Sequence, residues 1–151
     1  MMWIVYGIIA VVALTLIGRF FVVPAAATMP DNLGWRDNGF VPCPPTPNCV
    51  SSTAPADGMA YIEPIAFEGS PESAYERLTS VLDSLPRAER VSDDGRYLHV
   101  VFRSLTMGFP DDTEFYIDAE NNVIHVRSAA RLGAGDMGVN RNRIEQIRQQ
   151  F

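Results

Sequence analysis

Lysine is absent from the 151-residue chain: all 12 basic residues are arginine. That excludes a Schiff-base lysine, a Walker-type phosphate lysine and a lysine general base. Cysteine is limited to Cys43 and Cys49, and histidine to His99 and His125. There is no internal repeat, and neither a collagen nor a coiled-coil pattern. Positive charge is also short, with 12 basic against 18 acidic residues and a net charge of −6, which argues against general affinity for nucleic acid. What is present is ordinary for a folded chain. The hydrophobic share is 47% and the charged share 20%, which argues against full disorder. Once residues 1–27 are set aside, the length suits one domain.

Within residues 3–23 the only charge is Arg19. As a helix this stretch spans about 31 Å, roughly a bilayer core. Arg19 lies near one end, where it can snorkel to the headgroups, and Trp3 and Tyr6 suit the opposite interface. Residues 1–27 therefore read as an uncleaved transmembrane anchor. The competing reading is a signal sequence cut after Ala25 and Ala27, but no basic residue precedes the apolar run. The positive-inside rule is nearly silent on orientation. Cys43 and Cys49 are close together in a proline-rich stretch, as in a small disulfide loop from an oxidising compartment; buried reduced thiols are the other reading. The disulfide reading places the domain outside the cytoplasm, on the periplasmic or thylakoid lumenal side of an inner membrane.

Residues 28–58 are rich in Pro, Gly, Asn, Asp and Ser and read as an extended linker carrying the Cys pair. The folded unit is expected over 59–151. It opens with a short strand in 59–67, where Pro64 suits an edge. Ser70 and Pro71 start a helix whose Ala74, Tyr75, Leu78, Val81, Leu82 and Leu85 share a stripe, and Pro86 stops it. Strands are expected over 88–91, 96–104, 113–118 and 123–128. A hairpin of the last two sets Ile117 opposite Ile124 and Phe115 opposite Val126 on the core face. On the other face it sets Glu114 opposite Arg127 and Tyr116 opposite His125. A C-terminal helix starts near Asn140. The fold class is α+β: a mainly antiparallel sheet with two packed helices, preceded by one N-terminal transmembrane helix.

Three runs carry a resemblance: PCPPTPNCVSS (residues 42–52), DDTEFY (111–116) and VRSAARLGAGDMGVNRNRIEQIR (126–148). Together they resemble the family catalogued as domain of unknown function 1499, found in bacteria and plastids, over about residues 41–151. The resemblance implies the domain boundaries and an exported or membrane-associated setting. It carries over no catalytic residue, because none is defined there.

Arg127, Arg131, Arg141 and Arg143 surround a loop with Gly133, Gly135 and Gly138 that leads into a helix, a natural anion site for phosphate, carboxylate or lipid headgroup. The structural alternative is that they neutralise the acid-rich residues 57–120. Asp111, Asp112 and Glu114 could hold a divalent cation, but alternation points Asp111 away from the other two, and pairing with Arg103 and Arg127 is the expected role. His99 and His125 lie on the polar face, near Tyr116. With Cys43 and Cys49 they would supply four zinc ligands, but CPPTPNC does not resemble a zinc knuckle, so no metal is expected. Ser51, Ser52, Ser104 and Ser128 sit in no nucleophile-elbow pattern. If the region of residues 43–49 covers the polar face, His99, Arg103, Glu114, Tyr116, His125 and Arg127 line a cleft.

These readings lead to a non-enzymatic, membrane-anchored module exposed outside the cytoplasm, acting in binding or as an accessory subunit. Arg103, Glu114, Arg127, Arg131, Asn140, Arg141 and Arg143 are its candidate ligand- or partner-binding residues. The expected partners are membrane lipid, through the N-terminal helix, and integral-membrane subunits; nucleic acid and cofactors are not expected. The alternatives are a hydrolase of anionic substrates, combining the arginines with Asp112 or Glu114, and a lipid- or pigment-binding protein with an apolar cavity.

Overall fold

The structure, a computed structural model, describes residues 2–23 and 28–151. It begins with α1 (Met2–Ile17), which buries none of its residues. A π-helical turn, Gly18–Val22, follows. The helix expected over 3–23 is thus divided, and among the described residues no helix is long and apolar enough to cross a membrane. The division falls at Gly18, where a Cβ would lie 2.7 Å from the Met107 methyl carbon. A glycine weakens a helix by about 1 kcal/mol relative to alanine, and here it admits a neighbouring loop. Ala25 and Ala27 of the expected cleavage site lie outside the described residues.

The remaining elements are β1 (Cys49–Ser51), β2 (Ile65–Ala66), α2 (Pro71–Ser84), β3 (Ala88–Asp93), β4 (Tyr97–Arg103), β5 (Pro110–Asp118), β6 (Val123–Ala130) and α3 (Val139–Gln150). The sheet runs β1-β6-β5-β4-β3, with β2 also pairing β6 and every pairing antiparallel. β1 and β2 lie end to end along β6, opposite residues 127–129 and 123–124. The sheet therefore takes in Cys49–Ser51, a piece of the segment read as linker, because Val50 supplies a buried apolar side chain.

Ser70 caps α2 by accepting a hydrogen bond from the Ser73 N–H, and Pro71 occupies its first turn. Ala74, Leu78 and Leu82 of α2 and Ile144 and Ile147 of α3 pack on Leu98, Val100, Phe115, Ile117, Ile124 and Val126. These strand residues alternate along β4, β5 and β6, so one face of the sheet is apolar and helix-covered. The opposite face carries the polar row.

Candidate functional site

The polar face is roofed by residues 33–41, not by the disulfide loop, and its charges are paired beneath that roof. Cys43 and Cys49 form a disulfide with Cα atoms 5.6 Å apart. Its proline loop lines a separate groove of about 510 Å³ with Met59 and Arg141. Trp35 stacks on Tyr116 at 4.1 Å and on His125 at 4.9 Å, and meets Phe40 edge-on. A lone tryptophan in a polar segment was the available signal for this roof.

Alternation along β5 sends Asp112 and Glu114 to this face and Asp111 to the other. Glu114 is fully buried. It accepts from Arg127 at 3.1 Å, from the Tyr97 hydroxyl at 2.9 Å and from the Gly34 N–H at 2.7 Å. Burial, then the adjacent Glu114 charge, pushes the Tyr97 hydroxyl well above its ordinary value. Asp112 receives both nitrogens of an Arg131 fork, at 2.8 and 2.7 Å, and His99 Nε2 lies 2.7 Å away. Burial pushes the Asp112 carboxyl up, but the bonds from His99 and Arg131 together hold it below the usual value. The pairing of His99 with Asp112 is diagonal across β4 and β5, since His99 directly faces Glu114.

On the helix side, Asp111 pairs with Arg143 at 2.6 Å. Burial raises the Asp111 carboxyl above its ordinary value against that opposing charge. Arg143 also reaches Ser128 at 3.1 Å, and Ser128 is bonded to Thr113 at 2.8 Å and to Asn140. The Asn140 amide donates to the Asn48 carbonyl at 3.2 Å, and the Asn48 amide donates to the Gly133 carbonyl at 2.6 Å. The three runs PCPPTPNCVSS, DDTEFY and VRSAARLGAGDMGVNRNRIEQIR therefore meet in one hydrogen-bonded cluster.

The start of α3, read as an anion cradle, holds the chain's own carboxylate. Asp136 accepts from the Gly138 and Asn140 N–H groups, each at 2.9 Å. Arg141 donates to the carbonyls of Met59 and Tyr61, and Arg148 to those of Glu63 and Pro64. Arg103 departs from expectation: it lies at the end of β4, opposite Pro110, and its nearest carboxylate is the exposed Glu89 at 3.6 Å. The observed pairings are thus Glu114 with Arg127, Asp112 with Arg131 and Asp111 with Arg143. No buried side-chain nitrogen or oxygen among the described residues lacks a partner, and no group of three or more His, Cys, Asp or Glu among them could hold a metal ion.

One contact chain links a serine, a histidine and an aspartate. The Ser52 hydroxyl lies 3.2 Å from His125 Nδ1, and His125 Nε2 lies 3.6 Å from Asp118. Ser52 Oγ also accepts the Val126 N–H at 2.9 Å, so its own proton is free to point at the imidazole. A polar cavity of about 330 Å³ adjoins His125 and is lined by Trp35, Asn38, Arg96 and Asp118 among others.

The family described as Protein of unknown function (DUF1499) matches residues 40–151, which take in every element from β1 to α3. No curated protein and no solved structure matches the chain.

Proposed function

This chain belongs to the DUF1499 family, and we propose that it is a membrane-anchored module exposed outside the cytoplasm, which binds a ligand or protein partner without catalysing a reaction. The observation that carries this reading is α1, whose apolar side chains are left uncovered on every side, with Trp3 86% and Ile4 68% exposed. So much uncovered apolar surface calls for a partner. α1 alone rises about 24 Å, short of the about 30 Å hydrocarbon core, and the π-helical turn carries the apolar surface on through Phe20 and Phe21. The Cys43–Cys49 disulfide suits an oxidising compartment. In its specific form the module is an accessory subunit that docks on an integral-membrane complex. Purification of the full chain in mild detergent, with mass spectrometry of the intact assemblies, tests this. Stoichiometric membrane subunits are expected, and a free monomer contradicts the accessory form.

A second reading, a hydrolase of anionic substrates, is favoured by the Ser52–His125–Asp118 contacts and by Arg96 in the adjoining cavity. It predicts turnover within a panel of esters and phosphate esters, abolished in a folded His125→Gln variant. No turnover across the panel would remove it.

A further inference from the structure

At the end of the sheet where β4 finishes and β3 starts, a cavity of about 270 Å³ is lined by three arginines, Arg87, Arg103 and Arg143, with Asn142, Gln146 and Phe102 beside them. No carboxylate lines it. Arg143 is the anchored member, held by Asp111 at 2.6 Å and stacked over the Phe102 ring at 4.7 Å. The other two are poorly neutralised. Arg103 has only Glu89 at 3.6 Å, with the two side chains 48% and 65% exposed, and so solvated a pair contributes little. Arg87 has no carboxylate within 4.0 Å among the described residues and donates to the Arg103 carbonyl. Three arginines thus share the lining of one hollow, and an anion seated there would supply the opposing charge that Arg87 lacks and Arg103 has only at a solvated distance.

The backbone at Arg87 bears on the choice of test variant. Arg87 has φ of +59°, in the left-handed region that favours glycine. A bulky side chain is uncommon there and costs of the order of a kilocalorie, which a glycine at this position would not.

We propose that Arg87, Arg103 and Arg143 form a binding site for a phosphate group, with Asn142 and Gln146 available as amide donors. The site deepens the binding-module reading and rests on it for its biological setting. Its position fits that setting, because Arg103 immediately precedes the loop whose Met107 meets Gly18 at the end of the N-terminal helix. Leu105 and Phe109 in that loop are exposed. Phosphate could therefore arrive as a free anion or as a lipid headgroup.

The test is calorimetric titration of the full chain in neutral detergent with inorganic phosphate and, separately, with short-chain phosphatidic acid. Binding is expected to fall at least 10-fold in Arg87→Gly and in Arg103→Gln. It is expected to be unchanged in Arg90→Gln, which removes an exposed cation elsewhere. Arg87→Gly also relieves the left-handed backbone, so its melting temperature reports folding separately from loss of the guanidinium. Binding of both probes supports a site for the free anion, and binding of phosphatidic acid alone supports a headgroup site. Failure of both probes to bind, or equal binding by the wild type and both pocket variants, overturns the proposal. Retention in membranes without phosphate binding would overturn the pocket and leave the anchor standing; phosphate binding by a chain released from membranes would do the reverse.

Discussion

Glu114 has no solvent exposure, and its carboxylate is satisfied by Arg127, Tyr97 and the Gly34 N–H. A buried ion pair of this kind adds little over an apolar pair, but removing one partner strands the other charge. Glu114→Gln is expected to lower stability by about 3–5 kcal/mol in a urea titration. Replacing Arg127 with Met in the same chain should recover part of that loss, and additive losses would show that the two charges do not act as a pair. Asp111 and Asp112 are adjacent in sequence but face opposite sides of the sheet, and their carboxyls shift in opposite directions. Asp112 titrates below its unfolded value of about 3.9, so its contribution to stability is present above that pH and is lost as the pH falls through the folded value. Asp111 titrates above its unfolded value, so its contribution is present below about pH 3.9 and is lost as the pH rises through the folded value. Carboxyl carbon shifts followed by NMR should place Asp112 below and Asp111 above the ordinary range; the reverse order would contradict the burial and pairing described for them.

At the scale of elements, α3 depends on Asp136, whose carboxylate takes the backbone N–H groups of Gly138 and Asn140. Asp136→Ala is expected to cost about 1–2 kcal/mol by thermal or chemical unfolding, as for other lost helix caps. The Cys43–Cys49 bridge closes a short loop, with a sequence separation of 6. Its replacement by two serines is expected to cost about 2 kcal/mol in the same measurement, given the length of the closed loop. The β5–β6 hairpin was legible in the sequence because its alternation is unbroken: Glu114 does face Arg127, Phe115 faces Val126, Tyr116 faces His125 and Ile117 faces Ile124. α2 was legible from its cap and stripe. Strand β1 was not, since the prolines around it mask a three-residue pairing that only β6 can specify. The same limit applied to the charges. Alternation separates Asp111 from Asp112, but Arg131 and Arg143 follow the hairpin, and their partners depend on how the loop and α3 fold back. Arg87 left no pattern at all, because its relation to Arg103 and Arg143 arises where three separate elements end.

For the whole molecule, the features fall into two parts. The domain is internally satisfied: its buried polar atoms are paired and its apolar face is covered by α2 and α3. The N-terminal helix is the opposite, apolar and uncovered, and its end meets the domain where Gly18 admits Met107. This contrast is what supports the proposal that α1 is the lipid-facing part and that the domain stands outside the cytoplasm. The most direct measurement is alkaline carbonate extraction of membranes from cells producing the full chain, with the mass of the recovered protein read alongside. An intact chain that stays in the membrane pellet is the predicted result. A chain that appears in the wash, or is recovered without its first residues, would contradict the anchored module.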